Sequence, residues 1–188
     1  MEQKMAPTYS FIAAGIGGMG ALSAGQLVAE AAMSLYQNVC WCPNMTTARR
    51  NAPADCTVVL SHEEITSPLV FQADAVVIVE PSLLKAFEQR VRAGGLIVVE
   101  SRGLKDEVAR DDVRVVKVPA LEIASSLGST QAANLVMLGA YVAVSQAVPS
   151  ELVKGRLEER FAGNPKLLAL NISAYEAGLK LAEGLASG

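Results

Sequence analysis

The fold of this chain is decided by one stretch near its amino terminus, which reads Tyr9-Ser-Phe-Ile-Ala-Ala-Gly15-Ile-Gly17-Gly18-Met19-Gly20. Its first half, residues 9–14, is a short apolar run of the kind that forms a buried strand. A cluster of glycines follows, and an alanine- and leucine-rich segment over residues 21–35 then predicts a helix. A strand, a glycine turn and a helix in this order are the opening of a nucleotide-binding βαβ unit.

The glycine spacing predicts a role for each member of the motif. We expect Gly15 to take the dihedral angles of a tight strand-to-helix turn, Gly17 to let a phosphate approach the backbone, and Gly20 to let the helix pack on the strand. The N–H groups and the dipole at the helix start favour an anion. A dinucleotide site also needs an acidic residue after the second strand, and residues 39–45 contain none, so we do not predict NAD. A phosphate-type ligand and a turn that serves only packing or subunit contact both stay open.

Apolar strand-like runs alternate with helical segments along the rest of the chain, which predicts a three-layer α/β/α sandwich with a mostly parallel Rossmann-like sheet. Several strands are continuously apolar, as in a parallel sheet that is covered on both faces, whereas residues 113–118 alternate and predict an edge strand. A helix over residues 82–93 is expected to end at Gly94-Gly95. We predict a single domain over residues 1–188, with an α/β core in residues 8–119 and a mainly helical part in residues 120–188.

The composition excludes several classes of partner. With a net charge of −3 and a pI near 5.3, the chain lacks the excess of basic residues that is typical of nucleic-acid-binding domains. The strongest apolar run, residues 135–144, is too short to span a bilayer, and no signal peptide is recognisable, so we expect no membrane partner. Three cysteines without CxxC spacing favour a cytoplasmic protein. A hydrophobic fraction of 51% indicates that another chain covers part of the surface.

Few residues outside the glycine motif are candidates for chemistry. Arg49 and Arg50 follow the second strand, at the sheet edge where ligand sites lie. Their guanidinium groups suit phosphate or carboxylate, although we favour a solvated or subunit-contacting role. His62, the only histidine, is predicted to be a solvated turn residue. Together with Cys40, Cys42 and Cys56 it does not match the spacing of zinc ligands, so we expect small buried thiols, no metal site and no catalytic residue.

Short motifs occur in a fixed order along almost the whole chain: Gly15-Ile-Gly-Gly-Met-Gly20, Cys56-Thr-Val-Val-Leu-Ser61 continuing to Pro68, Ala73-Asp74-Ala75, Gly94-Gly95, Val118-Pro119-Ala120, Ala133-Asn134 continuing to Gly139, and Asn171 with Ala174 and Gly178. In this order and spacing they resemble the gamma subunit of 2-oxoacid:ferredoxin oxidoreductases. That family comprises the pyruvate, 2-oxoglutarate, 2-oxoisovalerate and indolepyruvate enzymes.

The resemblance implies a subunit of a complex that converts a 2-oxoacid and coenzyme A to acyl-CoA, carbon dioxide and reduced ferredoxin. Thiamine diphosphate and iron–sulfur clusters would carry the chemistry, mainly on alpha, beta and delta subunits. This chain is expected to bind no cofactor alone and to be inactive alone. Its three cysteines are too few for a 4Fe–4S cluster, which takes four thiolates.

The resemblance also suggests which residues line a cleft near the active site of the complex. The cofactor-binding candidates are Gly15, Gly17, Gly18, Gly20 and Arg50. Two departures from the family pattern weaken the expectation of close phosphate contact: Met19 stands where the family has glutamine, and Asn51-Ala52 stand where it has two glycines. The alternatives to a gamma subunit of this kind are a freestanding nucleotide-binding module and a purely structural subunit.

Overall fold

The computed structural model describes residues 8–45 and 52–186 of the chain. These residues form six strands and six α-helices, and short 3-10 turns flank some of the helices. The strands are Thr8–Ile16 (β1), Asn38–Met45 (β2), Pro53–Ser61 (β3), Ala73–Ile78 (β4), Val91–Glu100 (β5) and Arg114–Val118 (β6). The helices are Ala21–Ala32 (α1), Leu84–Phe87 (α2), Ala120–Ser126 (α3), Ala133–Ser145 (α4), Ser150–Phe161 (α5) and Pro165–Ala186 (α6).

The six strands form one sheet in the order β2-β3-β1-β4-β5-β6. The pairs from β1 through β4 and β5 to β6 are parallel, whereas β3 runs antiparallel to both β1 and β2. The predicted mostly parallel sheet is therefore confirmed, and so is the edge position of β6. The reversal of β3 follows from the short β2–β3 connection, because parallel neighbours need a crossover of a dozen or more residues.

The two faces of the sheet are covered unequally. Helices α1, α3, α4, α5 and α6 all pack on one face, where Phe11, Val58 and Val98 are buried beneath them. On the other face, the buried cluster consists of residues from β1, β4 and β5 with Leu84 and Phe87. The predicted three-layer arrangement is confirmed, but the helical layer on this second face is thin because α2 is a single turn.

Helix α4 is the central helix of the thick layer. This helix is apolar almost all round, and the structure buries it between the sheet and α6. The two helices touch through reciprocal glycines. A Cβ atom on Gly139 would overlap the carbonyl oxygen of Tyr175 and lie 2.9 Å from Leu179 N. A Cβ atom on Gly178 would overlap the carbonyl oxygen of Val136 in the same way.

The predicted helix over residues 82–93 is confirmed only as an irregular helical segment, which ends at Arg90. The segment contains 3-10 turns at Pro81–Leu83 and Glu88–Arg90 around the short α2, and β5 begins already at Val91. Gly94 and Gly95 lie inside β5, where the register with β4 shifts. Gly94 has a φ of +72°, and a Cβ on Gly95 would lie 2.9 Å from the carbonyl oxygen of Arg92. Glycine inside a strand marks such an irregularity, which local sequence does not distinguish from a helix end.

Candidate functional site

The glycine motif lies beside the carboxyl-terminal ends of the parallel strands. The loop from Gly17 to Gly20 connects the carboxyl end of β1 to the start of α1, and the carboxyl ends of β4, β5 and β6 lie at the same edge. Ligands of open α/β sheets bind in the crevice outside these ends. The glycine motif therefore lies where such ligands bind, and its role as a binding site stays a prediction.

The tight turn is made by Gly18 and Gly20, not by Gly15 as expected. Gly18 has a φ of +94° and Gly20 a φ of +78°, both in the left-handed region that favours glycine. Gly15 is still part of β1. A Cβ atom on Gly15 would lie 3.3 Å from the Cβ of Ala21, so it is this glycine that lets the helix approach the strand.

Gly20 packs against α4 rather than against the strand. A Cβ atom on Gly20 would overlap the side-chain amide of Asn134, lying 2.8 Å from its Cγ. The Asn134 Nδ2 donates a hydrogen bond of 3.3 Å to the carbonyl oxygen of Gly20. We did not single out Asn134 as a site residue from the sequence, although a lone amide at the start of an apolar helix is a usable signal. It ties the beginning of α4 to the glycine loop.

The hydrogen bonds of the loop restrict which backbone groups face a ligand. The N–H of Gly17 donates to the carbonyl oxygen of Ala52 at 3.1 Å, and the N–H of Met19 donates to that of Ile16 at 3.0 Å. The first bond along α1 runs from Ala24 N to Gly20 O. The N–H groups that precede it at the helix start have no partner within the helix. An anion would therefore meet the first turn of α1 rather than the N–H of Gly17.

A cleft of about 230 Å³ opens next to this helix start. It is lined by Gly18, Met19, Val79, Leu121, Thr130, Gln131 and Ala133. The 3-10 turn Thr130–Ala132 leads directly into α4, so two helices begin at the same cleft. Helix N-termini carry partial positive charge. Because the cleft is smaller than a typical pocket for a whole cofactor, it suits a single anionic group such as a phosphate.

Arg50 and its neighbour Arg49 lie outside the described residues. The structure does describe Ala52, two residues after Arg50, whose carbonyl oxygen accepts the hydrogen bond from Gly17 N. Ala52, the residue before β3, therefore lies directly beside the glycine loop. Arg50 as an anion-binding residue stays a prediction.

Glu100 is a buried carboxylate at the same edge that sequence reasoning missed. It ends β5 and is 1% exposed. Its two oxygens accept hydrogen bonds from Arg102 N at 2.7 Å and from Leu121 N at 2.8 Å. These bonds hold the start of α3, and with it the Leu121 wall of the cleft. The arrangement gives Glu100 a positioning role.

His62 and the cysteines do not form a cluster. His62 follows β3, which runs antiparallel to β1, so it lies at the end of the sheet opposite the glycine motif. Its ring stacks on Tyr36 with the ring centroids 4.9 Å apart. Cys56 is fully buried beneath α1, whereas Cys40 and Cys42 are half-buried. Among the described residues, no three or more histidines, cysteines or carboxylates lie where they could hold a metal together. In the same part of the chain, no helix has both the length and the apolar character that crossing a membrane requires.

Comparison with known proteins identifies the family. Residues 10–181 match the family described as pyruvate ferredoxin/flavodoxin oxidoreductase. The chain belongs to this family. Within it, the ketoisovalerate oxidoreductase subunit VorA of Methanothermobacter marburgensis is 34% identical over 166 residues, which are 88% of this chain and 34% of VorA. The chain therefore spans about a third of the length of that relative.

Solved structures of similar proteins confirm the fold. Pyruvate oxidoreductase subunit PORC of Thermotoga maritima is 28% identical and superimposes with a TM-score of 0.76 over 93% of this chain and 97% of PORC. The 2-oxoglutarate:ferredoxin oxidoreductase of Magnetococcus marinus has a TM-score of 0.86 at 21% identity, over 95% of this chain and 32% of that one. The same fold is thus a separate subunit in one of these proteins and part of a longer chain in the other. The resemblance expected from the motifs is confirmed.

Proposed function

We propose that this chain is the gamma subunit of a cytoplasmic, multisubunit 2-oxoacid:ferredoxin oxidoreductase. The complex would oxidatively decarboxylate a 2-oxoacid, join the acyl group to coenzyme A and pass the electrons to ferredoxin. The observation that carries the proposal is the family match over residues 10–181, which includes the glycine cleft and all six strands. Thiamine diphosphate and the iron–sulfur clusters would be held by alpha, beta and delta subunits.

The contribution of this chain would be to bind and orient rather than to transfer protons or electrons. The described side chains that line the glycine cleft are apolar, hydroxyl or amide groups, none of which titrates near neutral pH. Two helix starts favour an anionic group there. Coenzyme A carries phosphate groups that fit this description, and the Magnetococcus marinus enzyme of the same fold was solved with coenzyme A bound. We therefore propose that the cleft faces the coenzyme A side of the complex.

Reconstitution tests the proposal. We expect the purified chain alone to show no 2-oxoacid-dependent reduction of ferredoxin, because the groups that react belong to other subunits. Addition of alpha, beta and delta partners recovered by native pull-down should restore coenzyme A-dependent turnover. A complex that lacks this chain serves as the control. Turnover by the isolated chain, or tight binding of NAD to it, would instead favour a freestanding nucleotide-binding module.

Replacement of Arg50 tests the site within the complex. We expect Arg50→Ala to raise the KM for coenzyme A about tenfold, the size of effect of one charge-assisted hydrogen bond to a phosphate. The unfolding midpoint of the chain should not change, because the sequence predicts a loop position for Arg50 after the second strand, where an arginine contributes little to stability. Arg156→Ala, on an exposed part of α5, is the matched control. If the Arg50 variant kept the coenzyme A affinity and the turnover of the parent complex, Arg50 would not belong to the site.

A further inference from the structure

Two cysteines on strand β2 form a pair that the proposed function does not use. Cys40 and Cys42 are two residues apart on an extended strand, so their side chains lie on the same face. Their Sγ atoms are 3.5 Å apart, and both residues are half-buried. Trp41, between them, packs into the large core on the opposite face. The two thiols therefore point away from the helices α1 and α4 to α6.

The surroundings of the pair leave it accessible. The buried cluster on that face of the sheet draws its described residues from β1, β4, β5 and α2, and none of its members belongs to β2 or β3. Across the strand pair, Cys40 is opposite Val59 and Cys42 is opposite Thr57. Neither neighbour is a metal ligand of the usual kind. Both cysteines lie on β2, an edge strand of the sheet, and are only half-buried, so a small ion can reach them from solvent.

We propose that Cys40 and Cys42 form a two-coordinate site for a soft monovalent cation, Cu(I). Thiolate sulfur selects soft metals, whereas hard cations prefer oxygen ligands. Within residues 8–45 and 52–186 no third histidine, cysteine or carboxylate completes a metal-binding group with them. Structural zinc takes four ligands, which this pair does not supply. A cation that accepts two sulfur ligands is the class that fits.

The geometry favours a bound cation over a disulfide. Two metal–sulfur bonds of about 2.3 Å span up to roughly 4.6 Å between the sulfur atoms, which rotation of the two side chains reaches from the present 3.5 Å. A disulfide needs the sulfur atoms about 2.05 Å apart and prefers Cα atoms about 5.5–6 Å apart. Residues two apart on an extended strand are separated by roughly 6.6–6.8 Å, so a disulfide would require the strand to contract.

Binding has a defined proton balance. Burial and the neighbouring Cys42 thiol raise the pKa of Cys40. One Cu(I) ion would replace both thiol protons, forming two sulfur–metal bonds and releasing two protons to solvent, with no change in oxidation state. Because both sulfurs are held on one strand, the second bond forms at a high effective concentration. The pair should therefore outcompete single thiols.

Silver titration of the full chain tests the site, with Ag(I) as a probe that stays monovalent without a reductant. In native mass spectrometry with excess N-acetylcysteine as competitor, we expect the parent chain to retain one Ag(I). Cys40→Ser and Cys42→Ser should each weaken retention at least about tenfold, since each leaves a single thiol. Cys56→Ala is the matched control and should retain the ion like the parent, because the Cys56 thiol is fully buried and its pKa is raised to about 11.

Circular dichroism of each variant checks that the fold is kept. The proposal would be overturned if the two serine variants retained as much Ag(I) as the parent chain. It would also be overturned if the parent chain retained no ion. Loss of the ion from the Cys56→Ala variant, with its fold intact, would also overturn it, because the site would then need the buried thiol. Since the readout is binding to the chain alone, its outcome is independent of the role proposed within the oxidoreductase.

Discussion

Replacing Gly139 by alanine is expected to destabilise the chain by about 3 kcal/mol, at the upper end of what one excess methyl group costs in a packed core. The methyl group would overlap the Tyr175 carbonyl oxygen and lie 2.9 Å from Leu179 N. These are backbone atoms of α6, which no side-chain rotation can move away. The two helices would have to separate, which would loosen the buried core between α4 and α6. The stability lost through this separation should exceed the roughly 1 kcal/mol that alanine gains over glycine in helix propensity.

Gly155→Ala is the matched control, because it makes the same chemical change in another helix of the same layer. Nothing lies within 4 Å of a Cβ atom on Gly155 in α5. There the gain in helix propensity is unopposed, and we expect stabilisation by about 0.5–1 kcal/mol. Urea unfolding followed by circular dichroism measures both variants against the parent. If the two changes had the same sign, the close approach of α4 and α6 would not be a determinant of stability.

Introducing a negative charge at Gly18 is expected to raise the KM of the reconstituted complex for coenzyme A by about tenfold or more, since like charges about 4 Å apart repel by roughly 4 kcal/mol near a protein surface. Gly18 lines the cleft where α1 and α4 begin, and a Cβ atom there meets nothing within 4 Å. Gly18→Asp would thus add a carboxylate to the anion site without a steric clash.

Gly18→Asn separates the charge from the backbone strain. Asparagine and aspartate have the same shape, and both tolerate a positive φ better than other side chains do. At a φ of +94° the two variants should therefore have similar unfolding midpoints. Steady-state kinetics should then show the large increase in KM for the aspartate variant only. Equal KM values for the two variants would mean that the cleft holds no anionic group, and the packing or subunit-contact role of the glycine loop would be preferred.

The two sets of variants address different parts of the molecule. The glycines between α4 and α6 belong to packing alone, and their effect should appear in stability whether or not partners are present. Gly18 belongs to the candidate site, and its effect should appear only in the assembled enzyme. A change in coenzyme A affinity without a change in stability is therefore the outcome that supports the proposed function.

Much of this architecture is predictable from short stretches of the sequence. The apolar run, the glycine cluster and the helix after it are local features, because backbone sterics and side-chain periodicity act over a few residues. The edge position of β6 follows from its alternating pattern, and the order of the motifs along the chain predicts the family. Local reasoning also places Cys40 and Cys42 on one face of a strand, since side chains alternate there.

Other features depend on contacts between residues that are distant in sequence. The direction of β3, the start of β5 ahead of Gly94-Gly95 and the separate roles of Gly15 and Gly20 were not predicted. Gly20 is a glycine because Asn134, more than a hundred residues later, occupies the place of its side chain. The sequence by itself thus determined the elements, their order and the family, whereas only the tertiary structure decided which atoms face each other at the cleft and between the helices. The physical reason is the distance along the sequence over which each effect acts. Propensity and periodicity act between neighbouring residues, whereas steric exclusion acts between any two backbone segments that the fold brings together.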